Sequence, residues 1–133
     1  MNSWPTATIQ GIAGSDDLHI AAYHPDGKTT GTPTWIWSVV VDDRLFVRAW
    51  NGTNGRWYRS AIAQQAGRIT AAGHEHDVVF TPVTDRELND RIDDAYRTKY
   101  AGSRYLPPMI ASGPKAATVE ITPAQKQSTQ EKQ

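Results

Sequence analysis

The 133-residue sequence contains no cysteine, which excludes disulfide bonds, thiolate nucleophiles, zinc–thiolate sites and iron–sulfur clusters. It also lacks an excess of either charge, since 14 lysines and arginines balance 14 aspartates and glutamates. Proteins that bind nucleic acids usually carry a basic excess that neutralises phosphates. The balanced charge therefore predicts that nucleic acid is not a partner.

Long hydrophobic runs are missing as well. The longest apolar stretch lies near residues 39–41, far short of the ~20 residues that a membrane-spanning helix needs. Residues 1–5 show neither the basic nor the apolar region of a signal peptide. We therefore expect a cytoplasmic protein without a membrane partner. A chain of this length is expected to form one domain, since domains usually have ~100–200 residues.

Local sequence patterns predict a mainly β protein of the α+β class. In chain order they predict a helix at 6–13, strands at 18–23, 35–41 and 45–50, a helix at 56–66, strands at 68–72 and 77–83, a helix at 85–100 and a strand at 117–122. Short antiparallel strands with intercalated helices favour a closed or half-closed barrel with helices outside it, or an open sheet covered on one face. Residues 1–123 are expected to form this domain, and the polar residues 124–133 a disordered tail.

Particular residues predict where two of the helices begin or end. Gly67 predicts the end of the second helix. Thr84 and Glu87 have the spacing of a capping box, which predicts that Thr84 is the N-cap of the third helix. An apolar stripe with a spacing of four follows in that helix, formed by Leu88, Ile92, Tyr96 and Tyr100.

The central hairpin can be placed in register from its turn at residues 42–43, which pairs Ser38 with Val47 and Val39 with Phe46. One face is then aliphatic and suits a barrel interior. The other face is predicted to pair two tryptophans, Trp35 with Trp50, and to place Trp37 opposite Arg48. That face has two interpretations: it is covered by a dimer interface or a packed helix, or it stacks on a planar ligand with an anionic group near Arg48.

Residues 51–55 contain two Asn and two Gly, and this predicted loop leads directly into a helix. Backbone N–H groups at a helix N-terminus suit a phosphate, and Arg48, Arg56 and Arg59 would add charge-assisted hydrogen bonds. The spacing alone favours a simpler interpretation, a turn that needs Gly and Asn only for their backbone angles, since it matches neither a Walker loop nor a dinucleotide fingerprint.

Other chemistry finds little support in the sequence. His74 and His76 flank Glu75, but no third ligand lies nearby, so we predict no metal site. His19 would serve as a proton donor only if it lined a cleft. No Gly-x-Ser-x-Gly elbow supports serine hydrolysis, and the catalytic residues remain unassigned.

A family resemblance rests on residues 37–50, Gly52, residues 57–59, residues 95–96 and residues 99–100. These positions resemble an uncharacterised bacterial family, the domain of unknown function 2255, over about residues 4–122. The layout is similar to the split-barrel flavin-binding superfamily, which includes pyridoxamine phosphate oxidases and deazaflavin-dependent reductases. The resemblance implies an antiparallel split β-barrel of about six strands with two or three packed helices, and a homodimer that holds FMN or a deazaflavin in its seam.

Carried over by position, the resemblance implies that Arg48 is a phosphate ligand, with neighbours Thr53, Asn54 and Arg59. The Ser/Thr-rich phosphate stretch of the oxidases is absent, and Trp50 and Trp57 occupy part of the expected flavin space. The full set of candidate site residues is Trp35, Trp37, Arg48, Trp50, Asn51, Thr53, Asn54, Trp57 and Arg59.

Two functions follow from the sequence. The first is a flavin- or deazaflavin-dependent oxidoreductase that acts on a small molecule, in which the cofactor carries the hydride chemistry. The alternative is a cofactor-independent protein or enzyme that takes a small-molecule ligand in a Trp/Arg-lined pocket on the same scaffold.

Overall fold

The computed structural model describes residues 3–124. Its elements are α1 (Thr6–Ala13), β1 (His19–Ala22), β2 (Thr34–Trp35), β3 (Ser38–Val41), β4 (Arg44–Arg48), a 3-10 turn (Gly52–Asn54), α2 (Arg56–Gln64), β5 (Ala66–Ala71), β6 (His74–Pro82), α3 (Arg86–Lys99), α4 (Leu106–Met109), α5 (Ser112–Ala116) and β7 (Thr118–Pro123). Nine residues of the predicted tail, 125–133, lie outside the described residues. None of the helices in the described part of the chain is long and apolar enough to span a membrane.

The seven strands form one antiparallel sheet in the order β2-β1-β5-β6-β7-β4-β3. Its two edge strands, β2 and β3, are separated in the chain only by Ile36 and Trp37. Two linking residues span at most ~11 Å between strand ends, so the sheet curls round until its edges approach each other. The result is a half-barrel of the α+β class, which confirms the predicted fold class in outline.

The strand count differs from the predicted six because residues 35–41 form two strands. The Ile36 N–H donates to the carbonyl of Leu18 at 3.0 Å, and the chain crosses there from one sheet edge to the other. Two short helices, α4 and α5, also lie in a segment that the sequence predicts to be irregular. Pro107 and Pro108 are tolerated in α4 because the first turn of a helix needs no N–H donor.

The sheet separates two hydrophobic cores. Ile20, Leu45, Val47 and Ile121 are among the buried residues of the core inside the half-barrel. The opposite face of β3 and β4 packs under α3, where Val39, Phe46, Ile92 and Tyr96 form the second core. A helix therefore covers this part of the predicted aromatic face, as one of the two interpretations requires.

The register of the hairpin is confirmed in its inner part, where Ser38 pairs with Val47 and Val39 with Phe46. The outer predicted pairs do not form. Trp35 belongs to β2 and pairs with His19 instead. The hairpin strand begins only at Ser38, after the chain has crossed from the other sheet edge.

Two predicted helix boundaries are wrong. The N-cap of α3 is Asp85, not Thr84, and its carboxylate accepts the N–H of Leu88 at 2.7 Å. Helix α2 ends before Gln65, which adopts a left-handed φ of 60°, whereas Gly67 lies inside β5. Gly67 is needed there because a Cβ would collide with the carbonyl oxygen of Ala21 and come within 2.8 Å of the Phe80 ring.

Candidate functional site

A cavity of about 1100 Å³ opens beside the ends of β1 and β4 and the start of α2. We call it the aromatic cleft. Three large hydrophobic side chains are exposed among the described residues: Trp35 and Trp50, each 50% exposed, and Tyr105, 49% exposed. All three line this cleft. Clustered exposed aromatic side chains are typical of interaction sites, so this cleft is the candidate functional site.

The three exposed rings are held from different elements. The Trp35 indole N–H donates to the carbonyl of Asp16 at 2.7 Å, which fixes the ring at the sheet edge. Trp50 follows β4 and meets Tyr105 edge-on, with the ring centroids 5.9 Å apart. Tyr105 is the residue before α4, so the wall it forms depends on the position of that short helix.

Two further tryptophans line the cleft at greater depth. Trp37 is half-buried, and its ring stacks on Tyr100 with centroids 3.9 Å apart and planes 4° apart. Trp57, in the first turn of α2, packs partly against the interior core and meets Tyr58 edge-on. One face of the Trp37 ring is thus covered by Tyr100.

A second cavity of about 1110 Å³ adjoins the aromatic cleft. We call it the polar cavity. The two share His24, Asn51, Gly55, Arg56 and Ser60 in their linings. Among residues 3–124, no aspartate or glutamate lines either cavity. The lining therefore favours an anion.

The start of α2 lies between the cavities. Its N-cap is Gly55, and no side chain caps the helix, so the N–H groups of its first turn are left without a side-chain acceptor. Arg56 and Arg59 lie in this first turn and make no ion pair within residues 3–124. Backbone donors and two unpaired cations together suit a phosphate or carboxylate.

Arg48 borders the aromatic cleft but does not have the predicted role of phosphate ligand. Its side chain is fully buried. Its Nε donates to Thr118, Nη1 donates to the Asp93 carboxylate at 2.5 Å and to the Met109 carbonyl, and Nη2 donates twice to Asn89. All five N–H groups of the guanidinium are used by the protein, and none remains for a ligand.

The Asp93 carboxylate also accepts Lys115 Nζ at 2.9 Å, and Asp90 accepts the same ammonium group at 3.0 Å. These two carboxylates raise the pKa of Lys115. Arg48, Asp93 and Lys115 thereby join β4, α3 and α5, and the bond to Met109 adds α4. Because Met109 lines the aromatic cleft, this network holds the part of the cleft wall that α4 forms.

The other predicted site residues divide between the cavities. Besides Arg48, the aromatic cleft is lined by Trp35, Trp37, Trp50, Asn51 and Trp57. Asn54 and Arg59 line the polar cavity, as Asn51 also does, and Thr53 lines neither. The predicted set is therefore largely brought together, but around two cavities and not around Arg48.

Sequence reasoning did not place His24, Tyr105 or Met109 in the cleft. Tyr105 and Met109 come from a segment rich in Pro and Gly, whose path has no periodic signal. The position of His24 depends on the pairing of β1 with β5, a long-range contact.

Three other titratable side chains, His19, His76 and Lys99, line neither cavity. His19 is therefore not placed to donate a proton there. Burial, with His74 nearby, lowers the pKa of His76, whose ring packs edge-on against Trp4. Burial lowers the pKa of Lys99, whose Nζ donates to the carbonyl of Ser38 at 2.8 Å. Within the described residues, no group of three or more His, Asp or Glu side chains is positioned to hold a metal ion.

A family model described as an uncharacterized protein conserved in bacteria (DUF2255) matches residues 8–121. The chain belongs to this family. No curated protein matches the chain. Among solved structures, the crystal structure of the conserved hypothetical protein Rv2991 from Mycobacterium tuberculosis is similar, with a TM-score of 0.61 and 16% sequence identity. The match covers 92% of this chain and 81% of the other chain, and at this identity it supports the fold alone.

Proposed function

We propose that this family member binds a flavin or a deazaflavin in the aromatic cleft and acts as an oxidoreductase on a small molecule. The observation that carries the proposal is the convergence of Trp35, Trp50 and Tyr105, three half-exposed rings, on one cavity of about 1100 Å³. Cofactor sites are typically concave, largely apolar and ~300–1,000 Å³ in volume, with a few placed polar groups. The cleft is likewise concave and mostly apolar, and its volume lies just above this range.

The residues present fit both parts of such a cofactor. The exposed faces of Trp35 and Trp50 offer stacking surfaces for a planar ring system. The anionic part of the cofactor would meet the uncapped start of α2, Arg56 and Asn51, which line the same cleft. These groups take over the phosphate contact that the family resemblance assigned to Arg48.

The chain contributes binding and orientation. When bound, a flavin or deazaflavin supplies the hydride chemistry itself. Trp35 and Trp50 would orient the ring, Arg56 and the N–H groups of α2 would hold the anionic group, and Arg48 would keep the α4 wall in place through Met109. We further propose that the protein is a cytoplasmic homodimer, in which a second copy covers the rings that remain half-exposed in one chain.

A second function is favoured by one observation. All N–H groups of the Arg48 guanidinium donate to protein acceptors, and Thr53, its carried-over neighbour, lines neither cavity, so neither residue would contact the phosphate of a flavin in the cleft. A cofactor-independent protein that takes an aromatic anion in the same cleft would need neither residue.

Fluorescence titration distinguishes the two functions. FMN and a 5-deazaflavin are added separately to the purified protein while tryptophan emission is followed. The first function predicts quenching that saturates at micromolar ligand, is reduced at least tenfold in affinity by Trp50→Ala, and is largely restored by Trp50→Phe, which keeps an aromatic ring. No saturable quenching by either compound would reject the first function and leave the second.

A further inference from the structure

The turn after β1 places a histidine where the two cavities meet. His24 lines both the aromatic cleft and the polar cavity. Its side chain is exposed, and the imidazole makes no hydrogen bond within residues 3–124. Its ring nitrogens are therefore available to a ligand that reaches from one cavity into the other.

The backbone holds this histidine in a defined place. The His24 N–H donates to the carbonyl of Thr29 at 2.8 Å, and the Gly27 N–H donates to the carbonyl of His24 at 2.9 Å. Asp26 closes the turn by accepting the N–H groups of Lys28 at 2.8 Å and of Thr29 at 3.0 Å. The turn is thus stabilised by its own hydrogen bonds whether or not a ligand is present.

The charged groups that face His24 are mostly cationic. Arg56 and Arg59 face the polar cavity from α2 and have no ion partner within the described residues. On the turn itself, the Asp26 carboxylate accepts hydrogen bonds from two backbone N–H groups and from the Thr29 hydroxyl, which lower its pKa to about 2, and His24 attracts the same carboxylate electrostatically. Tyr23 also lines the polar cavity, and its hydroxyl donates to Asp77. Because no acidic side chain of the described part of the chain lines the cavity, an anion is the ligand that these groups fit.

We propose that His24, Arg56 and Arg59 form a subsite in the polar cavity for a phosphate or carboxylate group, and that protonation of His24 strengthens its binding. This inference rests on the proposed function and extends it by locating the anionic group. Arginine stays charged at all physiological pH values, whereas histidine changes charge between about pH 5 and 8. Affinity for the anion therefore falls as the pH rises through that range.

Calorimetric titration of inorganic phosphate tests the subsite without a flavin. Phosphate is titrated into wild-type protein and His24→Gln at about pH 6 and about pH 8, and the two proteins are compared at each pH so that the titration of phosphate itself cancels. We expect His24→Gln to weaken binding about tenfold at the lower pH, the size of one charge-assisted hydrogen bond, and much less at the higher pH. Arg59→Gln should weaken binding at both.

Matched controls remove the same groups elsewhere. His19→Gln removes a histidine that lines neither cavity, and Arg86→Gln removes an exposed cation on α3. Both controls should bind phosphate like the wild type. Equal phosphate affinity of wild type and His24→Gln at the lower pH, or no phosphate binding at all, would overturn the inference.

Riboflavin and FMN, which differ by the phosphate, identify the source of the anion. If the anionic group belongs to the cofactor, FMN binds more tightly than riboflavin and His24→Gln removes most of the difference. If it belongs to a second molecule, the two bind alike, and phosphate binds beside either with the same dependence on His24. Riboflavin binding without any phosphate binding rejects the subsite but keeps the proposed function, whereas phosphate binding without riboflavin binding rejects the flavin and keeps the subsite.

Discussion

Replacement of Arg48 by methionine should destabilise the fold strongly, because the change leaves a buried carboxylate without its main partner. The Arg48 side chain is fully buried, and the Asp93 side chain is 9% exposed. Breaking such a pair from one side costs about 3–5 kcal/mol. Lys115 still contacts Asp93 at 2.9 Å, so we expect the lower end, about 3 kcal/mol of the free energy of unfolding.

Urea unfolding followed by tryptophan fluorescence measures this loss. Arg44→Met is the matched control on the same strand, because Arg44 pairs with Glu120 at the surface and its side chain is 46% exposed. That pair should contribute less than about 1 kcal/mol. The double variant Arg48→Met/Asp93→Leu should recover much of the stability, since it removes both charges. A loss for Arg48→Met no larger than that for Arg44→Met would refute the structural role assigned to Arg48.

Three further predictions follow from the packing and the turn. Gly67→Ala should cost about 1–3 kcal/mol by overpacking against the Ala21 carbonyl oxygen and the Phe80 ring, whereas Gly14→Ala, where the nearest atom to a new Cβ is 3.8 Å away, should melt like the wild type. Ile92→Ala should cost about 2–5 kcal/mol in urea unfolding because the side chain is fully buried, and a cost below about 1 kcal/mol would contradict its place in the core. The lowered pKa of Asp26 means that its contribution to the turn is complete above the ordinary carboxyl pKa of 3.8 and is lost as the pH falls through about 2; an NMR titration of the Lys28 amide with a midpoint above 3.8 would contradict this.

The local elements of the fold were predictable because their signals are local. Helix α1 occupies the predicted residues 6–13, and the stripe of Ile92 and Tyr96 faces the core as its spacing indicates. The break between β2 and β3 was not predictable, since Trp35 has the same strand propensity on either sheet edge. What decides it is the long-range pairing of Trp35 with His19.

In the candidate site, too, local sequence patterns were informative and long-range contacts were not predictable. The sequence predicted Trp50 and Arg59 as site residues because Trp50 precedes the loop at residues 51–55 and Arg59 lies in the first turn of the helix that follows it. It assigned a ligand role to Arg48 from the tryptophan-rich face and the family resemblance, but the carboxylate that pairs with Arg48 comes from α3, 45 residues along the chain. The identity of such a partner depends on helix packing, which the pattern of one strand does not contain.

The central claim, a planar anionic ligand in the aromatic cleft, is tested most directly by the five indole N–H signals in an NMR titration with FMN. Trp35 and Trp50 line the cleft, whereas Trp4 is buried, donates its indole N–H to Ile121 and lines neither cavity, so it serves as the internal control. Single Trp→Phe variants assign the signals. The account predicts saturable shifts for Trp35 and Trp50 and none for Trp4. Unchanged signals for Trp35 and Trp50 at saturating FMN, or an equal shift of Trp4, would contradict it.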